Sequence, residues 1–446
     1  MSSDINFDLG AGQIEFLTYG IVLAGAGFLV LTGLVKELAP AERRRWMLGV
    51  ALGTGVLAFT LKIAFVVLFS VFSVPMLDML ATPQKTLAGE NSNFAQLNRF
   101  RSGTLLPSPY IWQALPHEAP TPTNNPQTPE KIALGENLFF DKRLSYDRTL
   151  SCASCHELSI NRGGADGLPA SVGIYDQQGT RNAPTVLNSA FQRVLFWDGR
   201  AASLEEQALG PLVNPIEMGM PSIASVEARI QSIPDYAEKY SSAFPENPVI
   251  NAENTAKAIA AYERTLITPD SPYDRFVRGD DSALTEQQIL GMALFEETGC
   301  PLCHSGPNFS EASVFGVTAV YRSFPTISGS DYEEKYQLTD DLGLAANTPN
   351  ATRGVWRVPS LRNVSLTAPY LHNGSVDSLE EVVRIMATVQ LGKTLSEKPE
   401  DDQQVNWSTG GRSFQVTRNH ALTDDEVDNI VAFLKALSSD PASFNR

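Results

Sequence analysis

Two short stretches of this 446-residue chain, Cys152-Ala-Ser-Cys155-His156 and Cys300-Pro-Leu-Cys303-His304, use all four of its cysteines. The C-x-x-C-H spacing is the attachment signature of a c-type haem, in which the sulfurs become thioethers and the imidazole an axial iron ligand. One copy could be chance, or half of a zinc site. Two copies with no cysteine left over, and no further Cys/His pair to complete a tetrahedron, leave little room for a zinc or disulfide protein. The pattern points to two covalently bound c-type haems, one on Cys152, Cys155 and His156, the other on Cys300, Cys303 and His304.

Helices that must position these turns are marked by their caps. Thr128-Pro129-Glu130 joins an N-cap residue, a proline at the first helical position and an acid in the first turn. The apolar face that follows, Ile132, Leu134, Leu138 and Phe139, would pack on the edge of the first haem; Asp141-Lys-Arg-Leu-Ser-Tyr-Asp ends the helix. Thr285-Glu-Gln-Gln288 is a capping box, and Ile289, Met292, Ala293 and Phe295 share roughly one face before Gly299 leads into Cys300. Residues 305–343 read as a long irregular segment, long enough to wall a haem or to receive a donor. A helix from Ser378 to about Gln390 carries Met386, and a last capped helix begins at Thr423-Asp-Asp-Glu426.

The chain is 43% hydrophobic and 19% charged, values of an ordinary globular protein, with much of the apolar content before residue 80. A net charge of -16 argues against nucleic acid as a partner, since phosphates would repel it. Such a surface suits a basic electron-carrier protein steered in by long-range attraction, or serves solubility alone.

Residues 16–35 form an uncharged run of membrane-spanning length. A signal peptide would open on basic residues, whereas this terminus carries Asp4, Asp8 and Glu15 and no Lys or Arg. Lys36 and Arg43–Arg45 precede a second apolar run from Trp46 to about Leu80. The positive-inside rule makes that basic loop cytoplasmic and puts everything after residue 80 outside. Lys62 interrupts the second span, close enough to the far headgroups to snorkel; contact with a membrane partner or a quinone is the alternative. Glycines at 23, 25, 27 and 33 would allow close helix packing. Residues 83–128, with prolines at 83, 107, 109, 116, 120, 122 and 126, read as a linker in which His117 is a stray loop residue, an iron ligand being the remote alternative. The expected organisation is mainly α: a transmembrane hairpin (1–82), a Pro-rich linker (83–128) and two cytochrome c-like haem domains (129–279 and 280–446). It places the protein in the cytoplasmic (inner) membrane as a multi-pass protein with its haem domains in the periplasm, where c-type haems are attached.

The phrases LFFDKRLSYDRTLSCASCH, RNAPTVLNSAF, FWDGRAASLEEQALGPL and NPIEMG, with the later VPSLRNVSLTAPYLHNG, stand in the order seen in one family. Over roughly residues 128–440 the chain resembles the bacterial di-haem cytochrome c peroxidases and the MauG-like enzymes that mature methylamine dehydrogenase. The resemblance implies a peroxidatic first haem on His156, with Glu217 as the distal acid that moves protons and Gln207 and Pro211 at other distal positions. It implies Trp197 as an electron relay between the haems and Met386 as the second axial ligand of an electron-transfer haem on His304, with His372 as the rival for that role. It also implies a calcium ion held by Asn182, Thr367 and Pro369. Read without the family, Glu217 is an acid beside a turn, Trp197 an ordinary buried indole and Met386 core filler.

One departure matters. Many members carry a histidine that caps the first iron at rest, in the stretch before the RNAP phrase. Residues 171–181 here contain none, so the first haem is expected to be open to peroxide without prior reduction, or weakly capped by Tyr175. His420 reads as a surface residue. The expected activity is reduction of H2O2 by electrons from a small cytochrome c or cupredoxin. The alternatives are high-valent oxidation of a protein or organic substrate, and an electron-transfer subunit of a membrane complex.

Overall fold

The computed structural model describes residues 112–159, 161–316, 320–392 and 422–440, and the backbone of 405–409 and 412–416. The expected membrane hairpin, Lys62, residues 83–111 of the expected linker and His420 lie outside the described residues. Among those described, no helix is long and apolar enough to cross a membrane.

The helices in chain order are α1 (Pro129–Phe140), α2 (Cys152–Cys155), α3 (Leu204–Val213), α4 (Ile223–Gln231), α5 (Pro234–Ala243), α6 (Ala252–Glu263), α7 (Pro272–Val277), α8 (Glu286–Glu297), α9 (Asp331–Lys335), α10 (Leu379–Ile385) and α11 (Asp424–Ala436). The strands are β1 (Tyr321–Ser323), β2 (Val355–Arg357), β3 (Val405–Thr409) and β4 (Arg412–Val416). The mainly α expectation holds, and the caps are where the sequence put them. Thr128 accepts from Lys131 N, and Thr285 and Thr423 both close capping boxes.

Each half that carries a C-x-x-C-H stretch is built on one helix crossing. In the first, α1 packs across α6 so closely that a Cβ on Gly135 would collide with the Ala258 carbonyl and the Tyr262 side chain. In the second, α8 crosses α11, and a Cβ on Gly291 would collide with the Asn429 carbonyl and the Phe433 side chain. The two glycines lie in matching phrases, Leu134-Gly-x-x-Leu-Phe139 and Leu290-Gly-x-x-Leu-Phe295, an internal repeat with a packing cause. Leu134, Leu138 and Phe139 of the first phrase and Leu294 and Phe295 of the second are almost wholly buried, each contributing about 1.5–3 kcal/mol of burial, and Leu290 is partly buried.

Three expectations need amending. Residues 112–128 are a packed strap rather than a free linker. Trp112 (1% exposed) and Leu115 (0%) are buried, with Trp112 in the core around α8 and α11, and Asn125 donates to the Lys257 carbonyl of α6 (2.9 Å) and to Glu205 of α3 (2.8 Å). Extended proline-rich backbone can still bury the few residues between its prolines. Second, α7 lies before the expected boundary at 280, yet its Tyr273 and Phe276 belong to the C-terminal core. Third, the segment 305–343 is not wholly irregular: β1 pairs antiparallel with β2, Tyr321 opposite Arg357, and α9 follows. Three-residue strands carry too little periodicity to be read.

Candidate active site

Each C-x-x-C-H stretch folds into one tight turn. Ser151 N donates to Ser154 Oγ (3.0 Å), and His156 N to the Cys152 carbonyl (3.0 Å), closing α2. In the second copy Cys300–Leu302 is a 3-10 turn entered from Gly299, and His304 N reaches the Cys300 carbonyl at 3.0 Å. No cysteine is in a disulfide. Burial pushes the Cys152 thiol up to about 12 and the Cys155 thiol to about 11, so neither is a thiolate nucleophile at neutral pH.

Both imidazoles are held neutral, each with Nδ1 against a backbone carbonyl. His304 Nδ1 faces the Phe309 carbonyl at 3.1 Å, and His156 Nδ1 the Gly164 carbonyl at 3.4 Å. A proton kept on Nδ1 by a carbonyl leaves the Nε2 lone pair for iron. Burial lowers the pKa of both, that of His304 to about 4.

The two turns face one cavity of about 990 Å³. His156, His304, Met386, Glu217, Trp197, Gln207 and Pro211 all lie on its wall, as do Cys152, Cys155 and Cys303. Cys300 instead packs against the C-terminal core, its Sγ 3.3 Å from Thr298 Oγ1. Gln207 and Pro211 are one turn apart on α3, whose helix runs on past the proline to Val213. Glu217 follows α3, its Oε1 accepting from Asn214 Nδ2 at 2.6 Å. Burial raises its pKa, and Arg200 and the Asn214 bond offset part of the effect. The result is a carboxyl able to exchange its proton nearer neutral pH than a surface glutamate.

Trp197 is fixed from both halves. Its Nε1 donates to the Asn182 carbonyl (2.8 Å), and its own carbonyl accepts from Arg357 N of β2 (3.0 Å). Asn182 N in turn donates to the His372 carbonyl (2.8 Å). Met386 closes α10 and opens a π-turn through Gln390, where Leu391 N reaches the Met386 carbonyl (3.2 Å). The expected helix to about Gln390 is thus α-helical only to Ile385, and π-turns recur at functional sites. His372 is buried, stacked on Trp356 with ring centroids 4.1 Å apart, and burial takes its pKa to about 4.

Tyr175 is a correction. It is 64% exposed, with its ring against Tyr146, and it is not on the cavity wall, so it does not reach a first-haem iron site. The hydrogen bond from Ile174 N to the Glu217 carbonyl (2.9 Å) turns Ile174 into the protein and leaves Tyr175 facing out. The loop contributes Ser171, Gly173, Gly179 and Thr180 to the wall, and none of them is a strong iron ligand. His117 is exposed on the strap.

Asn182, Thr367 and Pro369 also line the cavity. Asn182 Nδ2 donates to the Leu168 carbonyl (2.8 Å), which turns that nitrogen away from any cation and leaves the amide oxygen for one. Among the described residues no cluster of three His, Cys, Asp or Glu side chains forms a metal site.

Several wall residues were missed by sequence reasoning. Asp198, wholly buried, gathers Arg181 (2.6 Å), Arg200 (2.9 Å) and Asn347 (2.6 Å), and Arg181 forks onto Asp341 (2.7 and 2.8 Å). Its signal was an acid flanked by Trp197 and Gly199-Arg200. Glu263, at the end of α6, is 5% exposed with Oε2 unsatisfied, and burial raises its pKa to about 8. Arg357 is a buried guanidinium whose Nε binds the Phe196 carbonyl (2.7 Å).

These features fit two haems. The wall offers the thiols of Cys152, Cys155 and Cys303 outside any disulfide, neutral imidazoles, an unsatisfied His372 Nε2 and a buried cation suited to haem carboxylates. Comparison with known proteins agrees. The family model described as di-haem cytochrome c peroxidase matches residues 129–282. The cytochrome c551 peroxidase of Pseudomonas aeruginosa is 38% identical over 330 residues, covering 74% of this chain and 84% of that one. The methylamine utilization protein MauG of Methylorubrum extorquens is 34% identical over 337 residues, 74% of this chain and 84% of that one. Among solved structures, a MauG-like protein associated with microbial copper homeostasis superposes with a TM-score of 0.59 at 32% identity, covering 74% of this chain and 96% of that one. The diheme peroxidase BthA of Burkholderia thailandensis gives 0.53 at 25% identity, covering 76% and 96%. Two C-x-x-C-H turns, two half-buried imidazoles on one cavity and these likenesses place the chain in the di-haem cytochrome c peroxidase family.

Proposed function

We propose that the chain reduces hydrogen peroxide to water, H2O2 + 2e⁻ + 2H⁺ giving two H2O, with electrons from a small redox protein. A haem held by Cys152, Cys155 and His156 would supply the iron that meets peroxide, and one held by Cys300, Cys303, His304 and Met386 a one-electron store. The observation that carries the reading is Glu217, a half-buried carboxyl of raised pKa on the same wall as His156. Its carboxylate accepts a proton from the near peroxide oxygen and returns it to the leaving oxygen, which departs as water. Asn214 fixes the carboxyl for both transfers. Trp197, bonded to Asn182 in one half and Arg357 in the other, would relay electrons from the entry haem to the reacting one. The loop over residues 171–181 presents no histidine to the cavity, so peroxide has access in the resting protein.

Glu217→Gln keeps the shape and loses the proton relay: peroxide turnover should fall about 10²–10⁴-fold with both haem spectra intact. Turnover within threefold of the unaltered protein would sink the assignment.

We further propose that residues 1–82 hold the protein in the cytoplasmic membrane with the haem domains in the periplasm, and that Asn182, Thr367 and Pro369 bind calcium. The apolar runs at 16–35 and from Trp46, split by basic residues, support the first. The shared wall position of the three oxygen-bearing residues supports the second. Oxidation of a protein or organic substrate is the second reading, favoured by the histidine-free loop and opposed by Met386. A peroxide-dependent turnover that needs no electron-donor protein would favour it.

A further inference from the structure

We propose that the strap at Trp112, Gln113 and Leu115 is a positioning element for His304, and through it sets the reduction equilibrium of the second haem. The inference rests on the reading that His304 binds that haem. It starts from the carbonyl that orients the imidazole. Phe309, whose oxygen faces His304 Nδ1 at 3.1 Å, has φ 49°, a left-handed conformation that is costly for a phenylalanine. Such a backbone persists only where its surroundings over-determine it. The surroundings here are the strap and what it ties down.

Trp112 (1% exposed) packs on Phe309 with ring centroids 6.3 Å apart, and on Tyr273 at 6.1 Å. Tyr273 packs on Phe309 in turn at 5.0 Å, and its hydroxyl both accepts from Gln113 N (3.1 Å) and donates to the Gln113 carbonyl (3.0 Å). Leu115 N donates to Asp274 Oδ1 (2.8 Å). Asp274 grips Arg362 through both oxygens (2.7 and 2.9 Å), and Arg362 places two donors on the Pro307 carbonyl, two residues before Phe309. An aromatic route and a polar route therefore both run from the strap to the Phe309 carbonyl.

That bond does more than hold a ring. A proton shared from Nδ1 to a carbonyl makes the imidazole a more basic ligand, which favours ferric iron; losing the bond favours ferrous. The strap has no such relation to the first site. Beyond Pro116 it binds α3 and α6 through Asn125 and Gln127, whereas His156 faces Gly164. A loosened strap should therefore act on one haem and spare the other.

The test uses the full-length, haem-loaded protein, with optical redox titration of each haem and NMR of the ligand imidazole N–H. Trp112→Leu should shift the second haem's reduction equilibrium about tenfold towards ferrous, 59 mV for one electron, with the first haem unmoved. Trp112→Phe should restore most of it. Tyr273→Phe spares the ring packing and removes only the two Gln113 bonds, so it folds where Trp112→Leu fails, and should give a smaller shift in the same direction. Val427→Ala, in the same core on α11 and outside both routes from the strap to Phe309, should lose stability without moving the potential. An unmoved second haem in Tyr273→Phe and in any folded Trp112 variant overturns the inference, as does an equal shift in Val427→Ala or at the first haem. A protein carrying one haem would instead overturn the reading beneath it.

Discussion

The two haem-bearing halves share a helix crossing and differ in how they treat a buried acid. In the C-terminal half Asp274 is wholly buried and fully answered: Arg362, itself 1% exposed, forks onto both its oxygens, and Ser271 and Leu115 complete its bonds. In the N-terminal half Glu263 is nearly as buried, yet Oε2 meets no partner, and Arg264 beside it is engaged with Glu205 at 2.8 Å. The imidazoles differ in the same sense. His304 faces a carbonyl in an aromatic core; His156 faces the carbonyl of Gly164, in a glycine-bearing loop, at longer range. A repeated crossing gives both halves the same scaffold, and the residues around it decide their work. The second half is built to hold one ligand geometry, the first to keep polar groups near an accessible face.

The largest effect that would test this contrast is on stability. Asp274→Ala leaves Arg362 buried with no counter-charge and should cost about 3–5 kcal/mol in denaturant unfolding. Arg143→Ala, which breaks the pair with Asp141 (2.7 Å) in the N-terminal half from its half-exposed side, should cost less than about 1 kcal/mol. Equal losses would mean that the two halves are not held differently. Next comes Met386→Ala. Removing the expected second ligand should abolish the low-spin signature of the second haem and lower donor-driven peroxide turnover by roughly 100-fold. An unchanged low-spin spectrum would pass the ligand role to His372, the other candidate on that wall.

The scaffold of both halves was legible because its signals are local. The C-x-x-C-H turns, the capping residues Thr128, Thr285 and Thr423, and the apolar faces that follow them each need only a few neighbouring residues. The repeated Leu-Gly-x-x-Leu-Phe phrase was equally readable in principle and was not read; its two glycines mark the crossings directly. Other features exist only in three dimensions. Trp112 lies next to a proline-rich run, and nothing in that composition tells a strap from a linker, since its burial is decided by Tyr273, Phe309 and Phe433 far along the chain. Tyr175 was placed near the first iron site by its position in the sequence, and a single backbone bond from Ile174 turns it outward. Asp198 and Arg181 are ordinary as residue types, and their importance comes from five groups, themselves with Arg200, Asn347 and Asp341, converging on one wall.

Glu263 gives the smallest effect and the sharpest distinction between the halves. In sequence, Glu263-Arg264 looks like a solvated pair at a helix end; folded, the carboxyl lies on the cavity wall, and burial is the main cause of its raised pKa, with Arg264 lowering it and Glu205 adding to the rise. The sign of the consequence follows from which state holds the proton longer. The folded protein keeps it up to about pH 8, and the unfolded chain releases it in the ordinary carboxyl range. Folding is thus favoured by this group least at high pH: its contribution is intact in acid and is lost as pH rises through that window. Denaturant unfolding of the haem-loaded protein should show roughly 1–2 kcal/mol less stability at pH 8 than at pH 6 from this residue. Glu263→Gln, which cannot ionise, should remove that slope and leave the unaltered protein the less stable of the two at pH 8. Parallel pH profiles for Glu263→Gln and the unaltered protein would mean that the carboxyl finds a partner in the loaded cavity, and that the N-terminal half answers its buried acid as fully as the C-terminal half does.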